Sequence, residues 1–435
     1  AKLTPVVLDF ESFWSVTHSL TKMSPISYVM HPETEIISCA AKVGKDATCC
    51  TFGEDKIRHQ ISNFDWSDKL VVGHNLSGFD AMILAWRFGV KPAMWGCTLA
   101  MSRPIHAKDA GGSLAALVKH YGIGEKDQSA LIQTKGKHLK DFTQDELTAM
   151  KKYNIADTDQ CYELFRRLYP LTSKDEMKLI DATIRMLVDP QFVVDRKLLA
   201  DTLWEERRRK QAMLLDLGKM IGAWDGTSET DPEDVANEVR KTLGSAAKFS
   251  ALLSDLGVAV PTKISPTTGK QAPALAKTDE AFIALQEHDN PIVAAAAQAR
   301  LGVKSTLLET RIQAFMDASD AAGGKLPIPI KYYGADTTGR DSGWAYNPQN
   351  LPRVSGKPSD ALRNCLTAGD GKKVVVADLS GIELRVNHFL WKVPSSMALY
   401  QADPEKADLY KDFAAALYDI EKSEVSKAQR QVGKV

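Results

Sequence analysis

Asp9-Phe10-Glu11 follows the apolar run Val6-Val7-Leu8. On a strand, residues two apart point to one face, so both carboxylates can reach one metal site. A third carboxylate, Asp80, comes just after the run Leu70-Val71-Val72-Gly73-His74-Asn75, where an apolar helix begins. A fourth, Asp157, lies four residues after Tyr153 in a stretch patterned as a helix from Gln144 to Leu168, so phenol and carboxylate share a helical face. Four carboxylates form the oxygen-rich set that two hard dications need when they also share phosphate and water oxygens. A further candidate, Asp378, ends Val374-Val375-Val376-Ala377, a run that reads as a buried strand. A Ser380-Gly381 turn and a helix start bearing Glu383 and Arg385 follow it, a setting that suits a divalent cation that also holds phosphates. Taken singly, the first three motifs also read as solvated surface carboxylates, and the Asp378 segment reads first as an ordinary strand-turn-helix with a capping Asp. His74, beside a strand end, is read as structural.

The elements that must position these groups alternate between short apolar strands and helices, which is an α/β pattern. At 435 residues the chain is long enough for two or three domains with cores. Its 55 basic and 55 acidic residues cancel, so a nucleic-acid partner would need a local basic groove rather than a basic total. Six cysteines without C-x-x-C pairing or zinc spacing read as reduced thiols of a cytoplasmic protein. No apolar run is long enough for a membrane span, and no signal peptide opens the chain. Ser173 is a candidate N-cap for a long helical stretch. The basic run Arg207-Arg208-Arg209-Lys210 reads as a helix face paired with Glu205 and Glu206 rather than as a DNA contact. Val260 to Pro273 reads as a loop or hairpin, and one strong helix is expected from Ala294 into Phe315.

Asp9-x-Glu11, then Asn75-x-x-x-Phe79-Asp80, then Tyr153-x-x-x-Asp157 resemble, in order, the three exonuclease motifs of the tyrosine-bearing DEDD superfamily. The resemblance implies an RNase H-like 3′–5′ exonuclease domain over residues 1–170. By it, Asp9, Glu11, Asp80 and Asp157 are metal ligands, Tyr153 orients the attacking water, Asn75 holds the substrate strand and Phe79 packs. Cys97-Thr98 stands where relatives often have Asp-Thr, outside the metal set.

Asp378 to Arg385 resembles motif A of the family A DNA polymerases, with Leu379 and Gly381 departing from the usual residues. Thr338-Gly339-Arg340 with Gln349-Asn350-Leu351-Pro352 resembles another segment of that family, in a form closer to phage-type members than to bacterial ones. Asp336 and Asp341 depart from the common pattern there. Lys304-Ser305-Thr306 resembles the thumb-to-palm segment that touches the DNA backbone, Asp408 to Ala414 the start of the fingers, and Arg430 to Lys434 the start of motif B.

The family resemblance implies a mostly helical thumb over 171–330 and a partial palm with the start of the fingers over 331–435. It implies that Asp378 binds catalytic metals and that Glu383 lies under the sugar of the incoming nucleotide. Arg430 and Lys434, one turn apart, present two cations to a triphosphate. Lys304, Ser305, Thr306, Arg340, Gln349 and Asn350 would contact DNA. The implied cofactor is Mg²⁺ or Mn²⁺, two ions per active site. The implied partners are DNA primer-template, single-stranded 3′ ends and dNTPs, with a monomeric protein and no membrane. By this resemblance the chain, with an initial Ala and no motif C, is expected to be a fragment, competent in hydrolysis but not in synthesis. Two other readings stay open: a stand-alone RNA or DNA 3′ exonuclease, and a non-catalytic DNA-binding module.

Overall fold

The computed structural model describes residues 3–106, 109–124, 134–226, 230–265, 267–379, 381–402 and 407–434. It divides into two units, residues 1–372 and 373–435.

The first unit is built on a five-stranded sheet: β1 (Thr4–Ser12), β2 (Ile36–Val43), β3 (Cys49–Phe52), β4 (Lys69–Gly73) and β5 (Met94–Cys97). Their order is β3-β2-β1-β4-β5. The first three strands pair antiparallel, whereas β4 runs parallel to β1 and β5 parallel to β4. β1 is central and covered on both faces, which is why its sequence runs apolar without alternation until Asp9.

Helices α1 (Pro25–Met30), α2 (Glu54–Ser62), α3 (Asp80–Met82), α4 (Thr98–His106), α5 (Leu114–His120) and α6 (Gln144–Leu168) surround the sheet. Val6 and Leu8 face Ile57 and Ile61 of α2. The opposite face of the sheet is crossed by α6, which packs on β1, β2, β3 and β4. A capping box starts α6, with Thr143 accepting from Glu146 N and Glu146 accepting from Thr143 N. α3 runs on into a π-helical turn, Ile83–Arg87, whose Arg87 pairs with Glu54 at 2.8 Å.

Beyond the sheet come α7 (Lys174–Val188), capped by Ser173 as its sequence suggests, β6 (Val193–Val194) and α8 (Arg196–Met220). Asp181 of α7 accepts from Trp95 N at 2.8 Å and so docks this helix on β5. A second core gathers the later half of α8 with α9 (Pro232–Gly244), α10 (Ala246–Asp255), α11 (Glu280–Ile283) and α12 (Pro291–Lys304). The expected loop or hairpin is the pair β7 (Thr262–Ile264) and β8 (Gln271–Pro273).

The single helix expected through Phe315 is two, α12 and α13 (Leu307–Ala321), broken at Ser305-Thr306. The break frees the Ser305 carbonyl, which accepts from Lys210 Nζ at 2.6 Å; Lys210 also reaches Glu309 at 2.6 Å. The unit closes with the hairpin β9 (Ile330–Ala335) and β10 (Arg340–Gly343), then α14 (Ala361–Asn364) and β11 (Leu366–Thr367), which pairs with β6. Tyr332, Tyr346, Leu362 and Cys365 belong to the core that contains β1.

The second unit carries α15 (Ile382–Leu390), α16 (Pro394–Ala402), α17 (Leu409–Tyr418) and α18 (Lys427–Val432). Here one expectation fails. Val374-Val375-Val376 does not form a buried strand: the segment is irregular, and Val375 and Val376 are 87% and 86% exposed. Apolar β-branched residues favour a strand only when another strand offers pairing and a covered face, and no described strand pairs with them. Among the described residues no helix is long and apolar enough to cross a membrane. All six cysteines are free.

Candidate functional site

The pleat of β1 turns Val7, Asp9 and Glu11 toward α6, opposite to Val6 and Leu8. Asn154 of α6 is fully buried and donates from Nδ2 to Asp9 Oδ2 at 2.6 Å. Its Oδ1 accepts from Ser38 Oγ at 3.3 Å and from Cys50 Sγ at 3.6 Å, which fixes the orientation of the amide. Asp80, 5% exposed, accepts from Phe10 N at 3.0 Å, so it lies against the strand between Asp9 and Glu11. Burial and the charge of Asp9 hold the Asp80 carboxyl well above the usual carboxylate range. Glu11 adds to this, and the bond from Phe10 N opposes it.

Asp157, also buried, is one helical turn from Asn154 and one turn from Cys161. Asn154 touches Asp9, and the Cys161 thiol senses the charges of Asp9 and Asp80, its pKa pushed up chiefly by burial. The face of α6 that carries Asp157 is therefore the one laid on the end of β1. Tyr153, half-buried, shares that helix one turn before Asp157. The fold thus collects four carboxylates, 148 residues apart at the extremes (157 − 9), around one strand end.

Around this end, His74 bonds Thr98 Oγ1 at 2.9 Å and Gly112 O at 3.0 Å, contacts that fit a bracing role. Asn75 is exposed in a left-handed conformation, φ 57°, with its amide folded over Gly78, where a Cβ would come within 2.5 Å of Nδ2. Phe79 packs on the core. Asn154 was not evident in the sequence. Its signal is only its place beside Tyr153 on the helix, and its role appears when α6 meets β1.

The polymerase-type candidates of the first unit are dispersed. Lys304, Ser305 and Thr306 are exposed at the α12–α13 break. Arg340 opens β10, opposite Ala335. Gln349 accepts from Gly343 N at 2.7 Å and donates to Asp341 O at 3.1 Å, so its amide holds the hairpin. Asn350 is exposed, and its carbonyl accepts from Arg311 at 3.2 Å. The basic run on α8 is in part structural: Arg209 pairs with Glu206 at 2.9 Å, and Lys210 is buried.

In the second unit Asp378 sits in the exposed irregular segment, and Ser380 lies outside the described residues. Glu383 is exposed in the first turn of α15, and Arg385 stacks on Tyr400 at 4.4 Å. Arg430 and Lys434 both lie over the ring of Tyr410, at 5.4 and 5.7 Å, and Arg430 also bonds Asp408 at 2.7 Å.

Residues 227–435 match the family model described as DNA polymerase family A. The chain as a whole is a mixed α/β protein that resembles a family A polymerase domain. Among solved structures it is similar to the POL domain of Pol1 from M. smegmatis, in a complex with DNA primer-template and dNTP. The TM-score is 0.57 and the identity 16%, over 99% of this chain and 66% of that one. At this identity the likeness is one of fold.

Proposed function

We propose that this chain is part of a family A DNA polymerase of phage type whose first 170 residues form a DEDDy 3′–5′ proofreading exonuclease. The observation that carries the exonuclease reading is the gathering of Asp9, Glu11, Asp80 and the Asp157 face of α6 at the end of β1. A central strand with antiparallel neighbours on one side and parallel ones on the other supports an RNase H-like sheet. The match of residues 227–435 supports the polymerase reading. The DNA and dNTP bound to the solved relative support the same partners here.

The donor set offers oxygens only, the type that Mg²⁺ or Mn²⁺ takes. Asp80 sits buried beside two further carboxylates, a repulsion that dications would relieve. Bound there, two dications would supply a water of lowered pKa and charge stabilisation at the leaving 3′ oxygen. The chain's own residues do the rest. Asp9, Glu11, Asp80 and Asp157 would hold the ions, and Asn154 fixes the rotamer of Asp9. Tyr153 orients the attacking water, and Asn75 holds the substrate strand.

In the polymerase part, Asp378 would bind metal, Glu383 would lie under the nucleotide sugar, and Arg430 and Lys434 would meet the triphosphate. Lys304, Ser305, Thr306, Arg340, Gln349 and Asn350 contact DNA, whose phosphates accept from Lys, Arg, hydroxyl and amide groups alike. Six free thiols support a reducing compartment, the cytoplasm of a bacterial or phage-infected cell. The test compares 5′-labelled single-stranded DNA with RNA of the same sequence, with Mg²⁺. Faster stepwise shortening of DNA is expected. A clear preference for RNA would replace this reading with an RNA-trimming enzyme, and binding without hydrolysis would replace it with a DNA-binding module.

A further inference from the structure

A second cluster of ligand-type side chains lies in the segment between β1 and β2. Ligand atoms of His18, His31 and Glu33 all fall within 4.8 Å of one another. His18 is 2% exposed, with its ring against Tyr28 at 4.8 Å and against His31 at 4.8 Å. The hydroxyl of Thr34 has one proton, and it donates that to Tyr28 O at 2.5 Å. The contact of 2.7 Å between Thr34 Oγ1 and His18 Nε2 must therefore have the imidazole as donor. That puts a proton on Nε2, so in the neutral ring Nδ1 carries a lone pair, which faces Glu33 Oε2 3.6 Å away.

In the neutral ring that lone pair faces a carboxylate, a repulsion that a cation held between the two would relieve. The separation is too long for a good hydrogen bond. It is close to the edge of a tetrahedron of N and O ligands around Zn²⁺, about 3.3 Å from the usual bond lengths. The geometry points to a Zn²⁺-binding site formed by His18 Nδ1, His31 and Glu33, with water as the fourth ligand. Two imidazoles and one carboxylate select such a borderline dication over Mg²⁺.

Among the described residues, one hydrogen bond of these ligands opposes ligation. His31 Nδ1 accepts from Glu33 N at 3.1 Å, and this bond opens when either ring nitrogen takes the metal. Thr34 is the outer partner that orients His18. Arg87 braces the same turn through Thr34 O and, at 2.9 Å, Val29 O. A metal here ties the segment after β1 to the turn before β2. The hydroxyl of Tyr28, which stacks on His18, already donates to Phe13 O at 2.5 Å.

The test is Co²⁺ titration of the EDTA-treated chain in excess Mg²⁺, read by visible d–d absorption and followed by displacement with Zn²⁺. One Co²⁺ per chain is expected, with the same spectrum in the Asp9→Ala/Asp157→Ala variant. His31→Ala should abolish it, Glu33→Gln should weaken binding at least tenfold, and Thr34→Val should weaken it by about tenfold or more. His31 and Glu33 lie toward the surface, so their variants keep the core intact. The proposal is overturned if the wild type takes up no Co²⁺, if His31→Ala binds as the wild type does, or if the signal follows Asp9 and Asp157 instead.

Discussion

Asn154 Nδ2 donates to Asp9 Oδ2 at 2.6 Å, from a side chain that no solvent reaches. A charge-assisted bond of this length holds the carboxylate in one rotamer. Asn154→Ala should leave the fold intact and lower exonuclease kcat by about 10–100-fold, the usual loss when the support of a metal ligand is removed. Single-turnover hydrolysis of labelled DNA measures it. An unchanged rate would remove Asn154 from the site.

Asp80 gives a pH dependence with a definite sign. Its folded pKa is raised, first by burial and next by Asp9. Above the ordinary Asp value of about 3.9 the unfolded chain has lost a proton that the native state still holds. The stability contribution of Asp80 is therefore complete below that value and declines as pH rises toward the raised one. In EDTA, Asp80→Asn should flatten this decline and raise the melting temperature at neutral pH, while hydrolysis is lost. Thermal melts across pH check it, and parallel wild-type and variant profiles would contradict it.

Tyr153→Phe removes one hydroxyl and keeps the ring. If that hydroxyl orients water, kcat should fall by about 100-fold or more while Mn²⁺ affinity stays the same. A loss of Mn²⁺ binding instead would show that the residue shapes the metal set.

Much of this architecture was legible in local sequence. Ser173 announces α7 because a cap acts within one turn, and the helical pattern from Gln144 to Leu168 announces α6. Spacing alone put Asp9 with Glu11 and Tyr153 with Asp157 on common faces. What failed depends on distant partners. The break at Ser305-Thr306 has Lys210 as a partner 95 residues away, a relation no helical pattern encodes. Val374 to Val376 has the composition of a strand, but composition supplies no neighbour to pair with. Asn154 was silent because a helical Asn beside a Tyr has no meaning until α6 is laid on β1.

Lys210 makes the break testable. It is 5% exposed and contacts Glu206 at 3.5 Å and Glu309 at 2.6 Å. Lys210→Ala leaves two poorly solvated carboxylates and the Ser305 carbonyl without this donor. It should cost about 3–5 kcal/mol of stability in denaturant unfolding, as for other buried pairs that lose one member. A cost below about 1 kcal/mol would mean that water replaces the ammonium.

The central claim is that four carboxylates at the end of β1 form one hydrolytic centre. The most direct measurement is a gel time course on a 5′-labelled primer-template with Mg²⁺, for the wild type, Asp9→Ala and Asp157→Ala. The account predicts stepwise shortening from the 3′ end by the wild type and none by either variant, although the two residues come from different elements. Shortening that survives in either variant, or a folded wild type inert with both Mg²⁺ and Mn²⁺, would contradict it.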